Sequence, residues 1–404
     1  MKKILSKLIN DPFLLISLPL SLPFIILIIL ISPVIHIRIG LINCDRIGHF
    51  AANTELYLCR KKYEEKNFLD IFYFPSKVSN KQLEKMIKRE IYIFPKIIVR
   101  PFDLIIRSFK LLRRFNPIKT NFGDNDIYNY LDKRKNIIKF NREEKKKGND
   151  FLKKINLYKK KYVCLTIRDE KYVEKNWKNK KTMDYHKHRN MEIDDFIPMC
   201  KYLNQQGFFV VRMGSDVKKK MSFSYPKFID YSVSDIKSDF LDIYILANCY
   251  FNVSSVMGLD AIPFIFRKPI LYLSSIPIGH FSTSSKRFLN VTLNHYDKLK
   301  KKNLSTTDIF KKGCGFLYSK KEFENRKIKL VSYKKNEIKL YTVEMLKFVK
   351  SNFVYSKNQL ILNNYYWDNY KKNIKEYKLS NFLHGKIKSK YSIVNLNKNK
   401  HFLR

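Results

Sequence analysis

The side chains best suited to chemistry stand where apolar runs end. Arg168 and Asp169 close the run YVCLTIRD, Arg212 and Gly214 close FFVVRMG, Asp230 ends a shorter run, and Ser254 and Ser255 end YFNVSS just before Gly258. An arginine fork neutralises a diphosphate through parallel hydrogen bonds, and amides at a helix start hold phosphate with the help of the helix dipole. These residue types predict a site for a nucleotide diphosphate, with Arg168, Arg189 and Arg212 as its cations. The competing reading pairs each arginine with a nearby carboxylate, such as Asp239 or Asp242, and makes it a pin for loops.

A second group lies in CDRIGHF, where Gly48 allows close backbone approach and His49 stands at an expected helix start. A helix N-terminus favours neutral imidazole, so His49 is a candidate general base toward an acceptor hydroxyl; the alternative is a structural histidine. In DYHKHRN, Asp184 to Asn190, His186 and His188 stand two apart without Glu or Cys at ligand spacing, so contact with ribose, base or sugar hydroxyls is expected there and metal binding is not. The chain has no G-x-x-x-x-G-K-[ST] and no G-x-G-x-x-G, which argues against a P-loop kinase and an ordinary dinucleotide oxidoreductase.

The elements that must position these groups alternate. A strand at Val34–Ile39 leads to a helix in FAANTELYLCRKKYEE, a strand in FLDIFYFP, and a helix at Lys81–Arg89 capped by Ser79. Strands at Tyr162–Asp169, FFVVRMG, FIDYS, YFNVSS and PILYLS alternate with helices near Asp194–Gln206, Asp235–Cys249 and Gly258–Phe266, the first of these closed by Gly207. Such alternation predicts a parallel sheet with helices on both faces, and ligands bind outside the carboxyl ends of such strands. Residues 132–161, Lys-rich and poor in apolar pattern, are the expected interdomain linker, and beyond Ser282 only Glu337–Lys350 reads as a clear helix.

With 404 residues, 45% hydrophobic and 15% aromatic, the chain has material for two cored domains. Its 80 Lys plus Arg against 36 Asp plus Glu give +44, a field that attracts phosphates, anionic headgroups or nucleic acid. Much of that excess is Lys beside abundant Ile and Asn, which compositional drift explains without a ligand. Cys44, Cys59, Cys164, Cys200, Cys249 and Cys314 are scattered, with no zinc spacing, and read as small buried hydrophobes in a reducing compartment.

Phe13 to Ile35 is free of charge but interrupted by Pro19, Pro23 and Pro33, and it lacks a small-residue cleavage site. A re-entrant or interfacial anchor is expected, with a signal anchor as the alternative. Ile105 to Phe115, IIRSFKLLRRF, separates apolar and basic faces, as in a helix docked on an anionic membrane or an ordinary surface helix. Arg38, Arg46, Arg60, Lys61 and Lys62 place the body on the cytoplasmic face of the membrane in this reading.

Taken together, RIGHFAANTELYL (Arg46–Leu58), RDEKYV (Arg168–Val173), DYHKHRN, FVVRMGSD and SDFLDIYILANC (Ser238–Cys249) resemble a family of glycosyltransferases with a GT-B-like fold, over roughly residues 34 to 280. The chain is more distantly similar to fucosyltransferase-like enzymes, in which an arginine after a strand of the second domain holds the donor diphosphate; that position is Arg168. Relatives often have His two places before this arginine, where this chain has Thr166, and small or hydroxyl residues before the last glycine, where it has Val256 and Met257.

The resemblance implies two Rossmann-like domains facing a cleft: segment 1–33 at the membrane, acceptor domain 34–131, linker 132–161, nucleotide-sugar domain 162–282, and a basic extension 283–404. It implies Arg46, Gly48 and Asn53 on the acceptor side, with His49 or Glu55 as base. Arg168, Asp169, Arg189, Asn190, Arg212, Gly214, Asp239, Ser254, Ser255 and Gly258 would serve the nucleotide sugar. No metal and no cofactor are expected. The partners are a nucleotide sugar, a glycan or lipid-linked acceptor and an anionic membrane surface, with no nucleic acid. The other class of function is a non-catalytic, basic, membrane-associated protein that holds anionic polymer or nucleic acid; no RRM, helix-turn-helix or zinc-finger pattern accompanies the charge.

Overall fold

β-branched and aromatic runs bounded by polar turns form the strands, and in two of the three sheets, one of seven strands and one of three, every strand is parallel to its neighbours. The computed structural model describes residues 13–62, 68–117, 125–169, 171, 189–376 and 385–404. The chain divides into two units, Met1–Asp124 with Asn136–Phe140, and Asn125–Lys135 with Asn141–Arg404.

In the first unit, β1 (His36–Leu41), β2 (Phe68–Tyr73) and β3 (Tyr92–Ile93) form a sheet in the order β1-β2-β3. The first helix, α1 (Phe13–Ile31), precedes β1, and α2 (Ile47–Lys61) crosses from β1 to β2. Next come α3 (Lys81–Lys88) and α4 (Lys96–Ser108), the latter followed by a 3-10 turn at Lys110–Phe115. The helix expected over Ile105–Phe115 is thus shifted toward the N-terminus, with Pro101 inside it. The cap of α3 is Asn80, not Ser79: the Asn80 side chain accepts from the Leu83 N–H at 2.8 Å, while the Ser79 N–H reaches Cys44 O at 2.7 Å.

A buried ion pair ties α2 to this sheet. Arg38 and Asp70 face one another across β1 and β2, with Nε to Oδ1 at 2.5 Å and Nη2 to Oδ2 at 2.8 Å. The Tyr57 hydroxyl of α2 donates to the same carboxylate, and Lys61 Nζ lies 3.3 Å from it. Burial raises the Asp70 pKa, but the Arg38 and Tyr57 hydrogen bonds outweigh it and leave the net shift downward.

The second unit is built on seven strands. They are β4 (Tyr162–Thr166), β5 (Phe209–Met213), β6 (Phe228–Asp230), β7 (Phe251–Ser254), β8 (Ile270–Tyr272), β9 (Phe288–Asn290) and β13 (Lys390–Tyr391), in the order β13-β9-β8-β7-β4-β5-β6. A smaller antiparallel sheet joins β10 (Asn294–Asp297) to β11 (Lys302–Asn303) and β12 (Ile328–Val331). One face of the large sheet is covered by α6 (Ile197–Gln205) and α8 (Lys335–Phe348), whose Met199, Leu203, Tyr341 and Met345 pack with Val163, Leu165 and Val253.

Two segments carry more regular structure than their composition suggests. The linker tract instead contains α5 (Arg142–Lys154), opened by a capping box between Asn141 and Glu144 and packed through Gly148 against the Tyr244 ring of α7 (Asp239–Asn248). A Cβ on Gly148 would meet that ring at 2.2 Å, which is why glycine is tolerated inside a helix here. The presumed extension after 282 is part of the same fold: it supplies β9 and β13 to the sheet. Glu344 of α8 accepts from the Ser392 hydroxyl and the Ile393 N–H, the latter at 2.7 Å. A second core gathers Phe281, Trp367 and Tyr370, with α9 (Lys357–Glu376) contributing the last two, against Tyr391 and Phe402.

His295, on β10, is fully buried, and its Nδ1 lies 3.0 Å from Leu293 O. Burial pushes its pKa down to about 4 from 6.5. The unfolded chain therefore binds this proton first, so stability is retained above pH 6.5 and lost as pH falls from there toward about 4. The loss from this residue should approach about 3 kcal/mol. In a pH series of urea unfolding, His295→Asn should flatten the slope in that window.

Candidate functional site

The chain leaves β4 for β5 and β6 on one side and returns to β7 on the other, so the topological switch point lies between β4 and β7. Crevices at the carboxyl ends of such a pair are where open parallel sheets hold ligands. Arg168 stands two residues beyond the end of β4, and its backbone is fixed from both sides. Its N–H donates to Ser255 Oγ at 2.7 Å, its carbonyl accepts from the Met191 N–H at 3.3 Å, and it bridges Asn190 in parallel fashion.

The Arg168 side chain is the exception to this fixation. Its Nε is buried without a hydrogen-bond partner, and no carboxylate pairs with the guanidinium among the described residues. Burial alone drives its pKa down. Arginine stays charged nonetheless, so the position holds a partly desolvated cation for which an anion is the natural complement.

The other two arginines have different tasks. Arg212, 3% exposed, lies with Nη1 3.2 Å from Asp230 Oδ2 and donates to Lys219 O at 2.7 Å, while Asp169 Oδ2 sits 3.9 Å from Nη2. Asp169 also accepts from the Lys171 and Lys218 N–H groups, at 3.0 and 2.8 Å. Arg212, Asp169 and Asp230 thus brace the ends of β4, β5 and β6, with carboxylates different from the Asp239 and Asp242 considered from sequence. Arg189 donates from Nε to Ile276 O at 3.0 Å and from Nη1 to Val256 O at 3.3 Å, and so ties the loop after β7 to the loop after β8. Gly214 takes φ +146°, a conformation that favours glycine, in the turn after β5. Asp239 opens α7 beside its cap Ser238, where a carboxylate suits the helix dipole. Asp184 to His188 lie outside the described residues.

The amide cradle expected before Gly258 takes another form. Gly258–Asp260 is a 3-10 turn, and only five helical residues, Ala261–Ile265, follow it. The Val256 N–H donates to Ser254 Oγ at 3.0 Å, the Met257 N–H to Asp260 Oδ2 at 3.0 Å, and the Ser254 hydroxyl to that same oxygen at 2.8 Å. Asp260 thus takes the place assigned to a phosphate. Sequence reasoning missed it, although an acidic residue two places beyond Gly258 is itself a self-capping signal. Val256 holds φ +59°, costly for a β-branched residue, and the Ser254 and Arg189 bonds on its two sides retain it there. Thr166, where relatives often place histidine, accepts from Asn252 Nδ2 at 2.9 Å inside the sheet.

In the first unit, Arg46 occupies the N-cap position of α2 without a side-chain cap bond, and Gly48 and His49 lie in the first turn. His49 Nδ1 and, one turn on, Asn53 Oδ1 are buried atoms without hydrogen-bond partners among the described residues. Their i, i+4 spacing puts both on one face of the helix. Glu55 is corrected. It is fully buried, and its carboxylate accepts from the Ile137 N–H at 3.0 Å and the Ile138 N–H at 3.0 Å, so it holds the returning segment Asn136–Phe140 instead of facing an acceptor.

All six cysteines are buried and none forms a disulfide. Among the described residues, no group of three His, Cys, Asp or Glu side chains is placed to hold a metal ion.

No family model matches the chain, and no curated protein matches it. Solved structures do. A glycosyl transferase family 9 protein from Veillonella parvula shares 10% identity at a TM-score of 0.44, over 76% of this chain and 97% of that one. The ADP-heptose lps heptosyltransferase II of E. coli shares 11% at 0.41, over 76% and 98%. An iron-containing dodecameric glycosyltransferase from enterotoxigenic E. coli shares 11% at 0.33, over 61% and 58%.

Replacing Glu55 by Ala should cost about 2–4 kcal/mol of stability, because two buried amides lose their acceptor. Denaturant unfolding measures this loss, and a variant with unchanged midpoint would return Glu55 to the list of candidate bases.

Proposed function

We propose that the chain is a glycosyltransferase that takes a sugar from a nucleoside diphosphate and passes it to a hydroxyl of a glycan or lipid-linked acceptor. The observation that carries this reading is Arg168: a partly buried guanidinium with a fixed backbone and an unpartnered Nε, at the switch point of a seven-stranded parallel sheet. A diphosphate supplies the missing acceptors and the missing negative charge. The motifs around His49 and Arg168, with their likeness to a GT-B-like family, agree with it.

In the chemistry we assign, the acceptor oxygen bonds to the anomeric carbon as the bond from that carbon to the diphosphate oxygen breaks. Arg168 stabilises the negative charge that grows on the departing diphosphate, without a metal ion. His49 takes the acceptor proton on its ring nitrogen, and Asn53 Oδ1 orients a hydroxyl on the same helix face. Glu55, Arg189 and Arg212 act on structure, through the bonds given above.

Titration calorimetry with a panel of nucleoside diphosphates and their sugars tests the donor side. Arg168→Ala should weaken nucleotide binding about tenfold or more, yet leave the thermal stability of the ligand-free protein unlowered, since the change removes a poorly compensated charge. A variant that binds like the parent, or a parent that binds DNA or RNA in preference to every nucleotide, would sink the assignment. His49→Ala should cut transfer about a hundredfold at unchanged nucleotide affinity, the low end of what a general base contributes.

A further inference from the structure

A helix that is apolar on every side needs apolar surroundings on every side, and α1 has them on one. Leu14, Ser21 and Ile25 are buried, spaced along a single face. Ile25 packs with Val99, Ile105 and Ile106 of α4, and the Phe24 ring meets Phe102 edge-on at 6.3 Å. The remaining faces are open: Ile16 is 68%, Leu20 66% and Leu30 70% exposed, and the run continues into Val34 at 88%. The first turn of α4 adds exposed Ile97 and Ile98. Scattered surface leucines are ordinary, whereas a continuous band along a 19-residue helix marks a contact surface.

The charges beside this band decide what it contacts. Residues 95–117 carry Lys96, Arg100, Arg107, Lys110, Arg113 and Arg114 against a single acid, Asp103. Asp103 is buried, paired with Arg107 and accepting from the Tyr73 hydroxyl at 2.8 Å, so it offsets little of the surface charge. A second copy would bring the same cations against these. An anionic lipid surface brings the opposite sign, and apolar insertion next to basic side chains is how interfacial helices hold to it.

We propose that this face of the first unit docks on an anionic lipid bilayer, with α1 lying along the interface. No helix among the described residues is long and apolar enough to cross a membrane. The packed face of α1 is already engaged by α4, so only its open faces meet lipid. The inference rests on the first unit alone and stands apart from the nucleotide-sugar reading.

The test uses the full chain, purified in mild detergent and diluted into vesicles of phosphatidylcholine alone or mixed with phosphatidylglycerol, with binding read by co-sedimentation. The parent should favour the phosphatidylglycerol vesicles and lose that preference as salt rises. A triple variant, Leu20→Glu, Leu27→Glu and Leu30→Glu, should lose about tenfold or more in lipid partition at unchanged circular dichroism. Arg113→Glu with Arg114→Glu should abolish the preference between the two vesicle types. Leu30→Trp provides a reading that needs no disruptive change: its fluorescence should be quenched by brominated lipid. The proposal fails if the parent ignores both vesicles, if the triple variant sediments like the parent, or if Trp at position 30 escapes quenching. A parent dimer that the triple variant splits, without vesicle binding, would assign the face to a second copy.

Discussion

A partly buried cation is costly without a partner, and among the described residues of the second unit no carboxylate pairs with Arg168. Arg168 cannot shed its charge, so burial without a carboxylate raises the free energy of the empty protein. The surrounding bonds tolerate that cost by fixing the backbone: Ser255 Oγ and the Met191 N–H grip the two sides of the residue. The main chain is thus fixed while the buried Nε keeps no hydrogen-bond partner among the described residues.

The same rim shows how its neighbours keep the position open. Asp169 and Asp230 face Arg212 and so do not close on Arg168, while Arg189 joins two loops through their carbonyls. Asp260 takes the Ser254 hydroxyl and the Met257 amide. Of the three arginines named from sequence, Arg212 and Arg189 are held by bonds within the fold, and Arg168 keeps a buried Nε without a hydrogen-bond partner among the described residues.

The parallel strands were legible because β-branched runs between polar turns have few other uses, and β4, β5, β7 and β8 all lie within their expected segments. The cap of α3 slipped by one residue because Ser79 and Asn80 are both good caps, and the local chain decides between them. Residues 141–154 misled for a different reason: a Lys-rich surface helix has a weak apolar stripe, although Asn141 followed by Glu144 is a helix-start signature. Roles resting on long-range bonds were out of reach. Glu55 meets amides 82 residues away, and Arg189 reaches a carbonyl 87 residues on, distances over which no spacing rule operates.

Bulk charge and site charge are therefore separate matters. The +44 of the whole chain is carried mostly by exposed lysines, screened by salt within about 10 Å, and says little about selectivity. Two groups of cations are defined by surroundings: Arg168 by partial burial without a carboxylate partner among the described residues, and the basic residues of α4 and the turn after it by the apolar band beside them. A mutation that removes one distant lysine changes the total by the same unit as Arg168→Ala, yet only the latter removes a charge partly withdrawn from solvent, where its field is stronger.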